Sequence, residues 1–164
     1  MPSVSEHLRT KGVAFELMSH TQTYTSIEEA RALGLAADEV LKTVAVKTAS
    51  GYALAVVPGI RRLDMKRLRE AVGDPHTRLA TEEELERDFP DCDLGALPPI
   101  GSLFGVPMYV DPEVMKHETV VFAAGRQTES VNMRGEDLLR GEPATVVALA
   151  RHQDEEEQGK EQIR

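Results

Sequence analysis

The 164-residue sequence is poor in the side chains that build disulfides, zinc sites and stacking surfaces. It has one cysteine, no tryptophan, three tyrosines and four phenylalanines. The single cysteine, Cys92, excludes an intrachain disulfide and a cysteine-rich zinc site. With so few aromatic rings, base stacking on exposed aromatics is a poor candidate mechanism for binding nucleic acid.

Long apolar segments are also missing. The longest apolar run, around Ala53–Val57, has about five residues, whereas roughly 20 are needed to span a bilayer. The first residues lack the basic-then-apolar pattern of a signal peptide. These absences predict a reduced, soluble, cytoplasmic protein that does not contact a membrane.

The charge is mostly of one sign. The chain has 28 acidic and 19 basic side chains, a formal net charge of −9, and a pI of about 5.1. Nonspecific binding to nucleic acid depends on clustered Lys and Arg that neutralise phosphates. The balance therefore argues against a protein that coats DNA or RNA, but it leaves room for a local basic patch.

Several motifs of known chemistry are absent. The sequence has neither a P-loop nor a dinucleotide-binding glycine pattern, and Gly101–Gly105 has its serine in the wrong place for a nucleophile elbow. The five histidines lack metal-ligand spacing. Asp91 and Asp93 flank Cys92 and would raise its pKa, which makes it a poor nucleophile. No metal or cofactor is predicted.

Helical and alternating hydrophobic patterns mix irregularly along the chain, without an internal repeat. They predict a single α+β (mixed α/β) domain over residues 1–150, with a mixed, largely antiparallel sheet and helices packed around it. Residues 151–164 are charged and predict a disordered tail. The predicted helices cover residues 3–11, 26–33, 65–72, 82–88 and 135–140. The predicted strands cover residues 13–18, 40–48, 52–57, 106–110, 119–124, 129–133 and 144–150.

One predicted strand, Leu41–Lys47, carries two lysines. Because side chains alternate between the faces of a strand, Lys42 lies on the side of Val44 and Val46, opposite to Lys47. If the valines face the core, Lys42 lies at the rim of the buried face and Lys47 on the solvent side. Lys42 is then either a surface residue whose stem packs on apolar groups or a functional cation in a cleft.

Two further segments have both a structural and a functional interpretation. In Gly95–Gly101, two glycines bracket two prolines, which predicts a stiff loop that either crosses the fold or presents backbone groups to a ligand. The segment Arg61–Arg69 has five basic residues and one acid. It forms either the solvated face of an amphipathic helix or a patch that contacts phosphates.

Taken together, these features resemble the YbaK/prolyl-tRNA synthetase editing-domain family, the free-standing aminoacyl-tRNA deacylases. The resemblance covers about residues 3–150 and rests on the order and spacing of its parts. The matching parts are His20, Tyr24–Ala30, Gly34, Val40–Thr43, Pro58–Asp64, Gly95–Gly101, Ala124–Gly125 and Glu136–Leu138.

The resemblance implies a YbaK-like fold and hydrolysis of the ester that joins a small mischarged amino acid, such as alanine or cysteine, to a tRNA for proline. It assigns catalysis to Lys42, Gly95 and Ala96. The two loop N–H groups would stabilise the oxyanion, while the Lys42 ammonium holds a phosphate or ribose of the terminal adenosine. Water or a substrate hydroxyl would attack. The residues assigned to substrate binding are His20, Tyr24, Thr43, Leu97, Pro98, Pro99, Gly101, Gly125, Glu129 and Ser130.

The sequence departs from the family at one position. Many members carry a histidine, or another polar residue tuned to the amino acid, a few positions after the glycine that matches Gly125. Here Ser130 occupies that place, or Glu129 if the register shifts by one. The departure therefore concerns the part of the site that is tuned to the amino acid.

Two other hypotheses remain open at this point. The chain is alternatively a non-catalytic module that binds a small ligand or an aminoacyl-tRNA end. Arg61, Arg62, Lys66 and Arg69 are assigned to the tRNA backbone, but the same basic helix would also suit a protein partner such as an aminoacyl-tRNA synthetase.

Overall fold

The computed structural model describes residues 2–151, in which helices pack around two β-sheets. The predicted α+β class is confirmed, although the strands divide between two sheets and do not form one. The helices are α1 (Val4–Lys11), α2 (Ser26–Leu33), α3 (Met65–Val72), α4 (Glu82–Asp88), α5 (Gly101–Phe104) and α6 (Gly135–Leu138). The strands are β1 (Phe15–Ser19), β2 (Leu41–Thr48), β3 (Gly51–Pro58), β4 (Arg78–Leu79), β5 (Met108–Val110), β6 (Thr119–Ala123), β7 (Glu129–Arg134) and β8 (Ala144–Val146).

Four helices begin at polar residues that suit a helix start. Side-chain oxygens of Ser3, Thr25, Asp64 and Thr81 accept hydrogen bonds from backbone N–H groups in the first turns of α1, α2, α3 and α4. Such caps satisfy N–H groups that have no partner within the helix. The cap at Thr25 fixes the start of α2, whose first turn borders the cavity described below.

The larger sheet has the strand order β4-β2-β3-β5-β8. Strands β2 and β3 form an antiparallel hairpin, β4 pairs antiparallel with β2, and β5 and β8 continue the sheet in parallel. The smaller sheet is antiparallel, with the order β1-β7-β6. An isolated bridge between Val40 and Val121 brings the start of β2 beside β6 and joins the two sheets.

Both faces of β2 are covered. Leu41 and Ala45 belong to the main buried cluster, which includes Phe122 of the smaller sheet, whereas Val46 belongs to a second cluster with Leu68 of α3. The prediction that one face of β2 points to solvent is therefore wrong. On that face, the ammonium of Lys47 lies 4.2 Å from the ring centre of Tyr52.

The structure corrects the sequence-based boundaries in the second half of the chain. Helix α5 lies in a segment predicted as loop. Its N-cap residue, Ile100, makes no side-chain hydrogen bond to the first turn, so the start of this helix could not be recognised from a capping residue. Strand β8 ends at Val146 and does not reach Ala150. The predicted tail begins at Arg151, and its residues 152–164 lie outside the described part of the chain. Within residues 2–151, none of the helices has the length and apolar character to cross a bilayer.

Candidate functional site

A cavity of about 460 Å³ lies where β2, the first turn of α2 and the loop before α5 meet. Its wall includes Tyr24, Glu29, Lys42, Thr43 and Gly95. The cavity therefore collects, from three separate segments, four of the residues assigned to catalysis or substrate binding from the sequence. Leu97, a fifth assigned residue, also lines it.

Lys42 crosses from β2 to the turn that follows β3. Its Nζ donates a hydrogen bond of 2.8 Å to the carbonyl oxygen of Arg61. Gly59, in the same turn, also lines the cavity, and its N–H donates to the carbonyl oxygen of Val40 at 2.7 Å. A bond to the backbone of this turn thus holds the Lys42 ammonium, and Lys42 is part of the cavity wall.

Gly95 allows the loop to approach α2 closely. Its φ is +76°, a left-handed conformation that favours glycine, and a Cβ placed on it would lie 2.6 Å from the carbonyl oxygen of Tyr24. The neighbouring N–H of Ala96 donates to the carbonyl oxygen of Asp93 at 3.1 Å. The prediction that the Ala96 N–H faces a substrate is therefore corrected, and the Gly95 N–H remains the loop's candidate donor.

Thr43 presents an unsatisfied hydroxyl beside the cavity. Among the described residues, its Oγ1 is the buried side-chain polar atom for which the structure shows no hydrogen-bond partner. A buried hydroxyl without a partner costs free energy. Because this oxygen is shielded from solvent although Thr43 lines the cavity, the assignment of Thr43 to substrate binding stays a prediction.

Glu29 is the cavity residue that the sequence prediction missed. Its side chain is on α2 and the residue is 3% exposed, yet it lines the cavity. The hydroxyl of Ser130, which is fully buried, donates to Glu29 Oε2, and His20 Nε2 lies 2.8 Å from the same hydroxyl oxygen. Ser130 therefore contacts Glu29 directly and His20 contacts Ser130, and neither residue lines the cavity. The sequence feature that could have identified Glu29 is the position of this acid on the apolar side of α2, next to Ala30.

Burial gives Glu29 a measurable effect on stability. It raises the pKa of the carboxyl above its ordinary value, against the hydrogen bond from Ser130 and the attraction of His20. A carboxyl with a raised pKa contributes stability below its unfolded pKa and loses it as the pH rises through the folded pKa. We therefore expect Glu29→Gln to gain stability relative to the wild type as the pH rises from about 4 to 7.

Urea unfolding of both proteins across this pH range measures that difference. Glu28→Gln is the matched control, because Glu28 is the exposed neighbour on the same helix. A stability difference between Glu29→Gln and the wild type that stays constant with pH would contradict the expectation.

The remaining loop residues have a structural role. Pro98 and Pro99 are buried, and Gly101 packs where a Cβ would overlap the carbonyl oxygen of Val106 and lie 2.6 Å from Met108 Cγ. None of the three is in the wall of the cavity that contains Lys42. Their assignment to direct substrate contact is corrected: they hold the loop against the core.

Gly125 and Glu129 lie at a different place. Both line a second cavity of about 310 Å³, beside the start of α1 and Cys92. The Gly125 N–H donates to the carbonyl oxygen of Ala96 at 2.9 Å, which ties this turn to the loop. The prediction that Gly125 and Glu129 contact the same ligand as Lys42 is corrected, and Ser130 is the residue of this segment that reaches Glu29.

The basic segment is only partly available to a ligand. Arg61 lies 3.6 Å from a carboxylate oxygen of Glu113, and Arg69 Nε donates to the carbonyl oxygen of Thr77 at 2.9 Å. Arg62 and Lys66 are exposed. The predicted phosphate-contacting face is therefore narrower than the sequence indicated.

Two predictions about reactive groups can be compared with the structure. Burial, followed by the charges of Asp91 and Asp93, raises the pKa of the Cys92 thiol to about 11. The predicted rise in the pKa of Cys92 is confirmed, with burial as a larger cause than the two aspartates. Within residues 2–151, no group of three or more His, Cys, Asp or Glu side chains is arranged to hold a metal ion.

Comparisons with known proteins show the family of this chain. The model of the aminoacyl-tRNA editing domain family matches residues 20–140. The chain is 28% identical over 111 residues to the Enterococcus faecalis protein named "Putative Cys-tRNA(Pro)/Cys-tRNA(Cys) deacylase EbsC", covering 67% of each chain. It is 33% identical over 130 residues to the proline–tRNA ligase of Xanthomonas axonopodis pv. citri, covering 77% of this chain and 22% of the ligase.

A solved structure of an editing protein has the same fold as this chain. The crystal structure of "a putative trans-editing enzyme for prolyl tRNA synthetase" superimposes with a TM-score of 0.80 at 27% identity, covering 93% of this chain and 99% of that one. In contrast, the chain spans 13% to 22% of the length of the ligases that it matches. Because the family model spans most of the chain, the protein belongs to the aminoacyl-tRNA editing domain family.

Proposed function

We propose that this protein is a trans-editing aminoacyl-tRNA deacylase, which hydrolyses the ester between a small mischarged amino acid and the 3′ end of a tRNA, with tRNA for proline as the first candidate. The observation that carries the proposal is the cavity lined by Lys42, Thr43 and Gly95 in a chain of the editing family. The names of the Enterococcus relative and of the solved trans-editing structure support the choice of tRNA. The editing function is assigned to residues 1–150 and to the cytoplasm, where tRNA is charged.

The chemistry of the cavity suits ester hydrolysis. Water adds to the ester carbonyl carbon, and the carbonyl oxygen becomes an oxyanion. The C–O bond to the ribose then breaks, and the proton that the water loses passes to the ribose oxygen. If a substrate hydroxyl attacks first, it forms a new ester, which water then cleaves in the same way. Donors that face the developing charge accelerate such a reaction most, and the Gly95 N–H is assigned this role. Lys42 is assigned to a phosphate or ribose oxygen of the terminal adenosine as a point charge.

The rim of the cavity offers a place for the adenine base. Tyr24, Ile27 and Leu79 line the cavity and are 59%, 48% and 53% exposed. Exposed apolar side chains at a pocket edge favour a flat, partly apolar ligand group. We assign the terminal adenine to this rim, although the scarcity of aromatic residues argued against stacking.

A panel of mischarged tRNAs tests the proposal. Purified protein is mixed with alanyl-, cysteinyl-, seryl- and prolyl-tRNA for proline, and the release of free amino acid is followed. We expect release from at least one mischarged tRNA and little from the correctly charged one. Release from none of the tRNAs would contradict the proposal.

A second candidate is a non-catalytic module that binds an aminoacyl-tRNA end. The observation that favours it is the wall of the cavity, in which neither a histidine nor a cysteine is found among the described residues. The same panel separates the two functions, because a module would bind a mischarged tRNA without releasing its amino acid.

The exposed basic residues give a separate prediction about the tRNA backbone. Charge reversal at Arg62 and Lys66 is expected to weaken tRNA binding and to reduce the slope of log K against log salt by roughly 0.9 for each phosphate that the protein no longer neutralises. Affinity measured at several salt concentrations checks this result. Unchanged affinity would instead favour a protein partner, such as a synthetase, for this surface.

A further inference from the structure

The cavity contains a carboxylate that the proposed chemistry does not use. Glu29 is almost completely buried and lines the same wall as Lys42 and Thr43. A carboxylate in this position is costly unless a partner compensates its charge. The wall of the cavity therefore has an acidic group as well as a basic one.

Hydrogen bonds with residues outside the cavity wall fix the position of the Glu29 carboxylate. Ser130, on β7, donates to Oε2, and His20 Nε2 lies 2.8 Å from Ser130 Oγ. His20 Nδ1 lies 2.7 Å from the carbonyl oxygen of Thr21, which only accepts, so Nδ1 carries a proton. The Glu29 carboxylate is thus oriented by two side chains, Ser130 and His20, which come from two other segments.

We propose that Glu29 binds the α-ammonium group of the aminoacyl ester, and that Ser130 and His20 are positioning residues that hold its carboxylate for this contact. The inference rests on the proposed function and names the part of the substrate that the cavity selects. An aminoacyl-tRNA end has an ammonium group on one side of its ester and a phosphate on the other. Glu29 and Lys42 supply the opposite charges within one cavity.

The contact gives the site a way to distinguish substrates. An ammonium–carboxylate hydrogen bond in a buried site is stronger than a neutral one. Esters whose α-amino group is replaced by a neutral group lack this bond while keeping the same shape. The cavity is then selective for free aminoacyl esters over their 2-hydroxy or N-acylated counterparts.

Two amide analogues test binding separately from hydrolysis. They are 3′-amino-3′-deoxyadenosine acylated with alanine, which keeps the ammonium, and with lactate, which replaces it with a hydroxyl. We expect the wild type to bind the alanine analogue about tenfold to a hundredfold more tightly, and Glu29→Gln to lose this preference. Ser130→Ala is expected to reduce the preference in part, and Glu28→Gln to retain it.

Hydrolysis provides the second readout. With alanyl-tRNA and lactyl-tRNA as substrates, Glu29→Gln is expected to raise KM for the alanyl ester and to leave the lactyl ester within about threefold. Equal losses on both esters, or a wild type without preference between the analogues, would overturn the inference while leaving the proposed function intact. Failure of the wild type to bind either analogue or hydrolyse either ester would overturn both. Thermal melting of each variant verifies that it is folded.

Discussion

Replacing Lys42 with methionine is expected to lower kcat/KM for a mischarged tRNA by about a hundredfold or more, with the protein still folded. Methionine keeps most of the apolar stem but removes the ammonium that we assign to the phosphate or ribose of the terminal adenosine. Loss of a single preorganised charged or hydrogen-bonding group in such a site costs about 10² to 10³ in rate. The folded state loses the bond from Nζ to the carbonyl oxygen of Arg61, and a hydrogen bond from a charged group is worth about 1.5 to 3 kcal/mol.

Single-turnover hydrolysis of the mischarged tRNA measures this effect, and urea unfolding measures stability. Lys47→Met is the matched control, because Lys47 is on the same strand but its ammonium lies over the ring of Tyr52 and outside the cavity wall. We expect the control to keep its activity within about threefold, because Lys47 contacts Tyr52 and lies outside the cavity wall. Full activity in Lys42→Met would refute the assigned role.

The local structure around Lys42 could be predicted well from the sequence. Thr25 and Gly34 mark the ends of α2, and a glycine marks the turn between β2 and β3, because caps and turns depend on nearby residues. The division into two sheets could not be predicted in this way. It depends on the pairing of β1 with β7, whose residues are more than a hundred positions apart in the chain.

The same limit explains the errors in the candidate site. A resemblance along the chain identifies Lys42 and the loop Gly95–Gly101, but it does not say which loop residues face the cavity. Ala96 N–H is used by the carbonyl oxygen of Asp93, and Gly101 is packed against β5. Those contacts are set by packing between distant segments, which a motif does not encode.

Glu29 illustrates what the fold adds to a motif. In the sequence it is one of two adjacent acids in the first turn of α2, where acids are favourable near the helix N-terminus whatever their function. Only the fold separates them: Glu28 is exposed, whereas Glu29 is buried and receives a hydrogen bond from Ser130. Ser130, one of the two candidates for the place of the family's histidine, thus contacts Glu29 and does not line the cavity itself.

Replacing Gly95 with alanine is expected to destabilise the fold and to lower hydrolysis by more than tenfold. At a φ of +76°, an L-residue costs about 1 to 2 kcal/mol. The added Cβ would also lie 2.6 Å from the carbonyl oxygen of Tyr24, so the loop must move away from α2. That movement displaces the Gly95 N–H, and a displacement of about 1 Å can cost a hundredfold in rate.

Gly105→Ala separates the two effects. Gly105 has a φ of +68°, but a Cβ placed on it would meet nothing within 4 Å. In this control, only the positive φ of an L-residue lowers the free energy of unfolding. We therefore expect Gly105→Ala to lose about 1 to 2 kcal/mol of stability and to keep its activity. If the two variants lose equal stability and both remain active, the contact between Gly95 and Tyr24 does not position the loop. A larger loss of both stability and activity in Gly95→Ala indicates that the close approach of the loop to α2 forms the wall of the site.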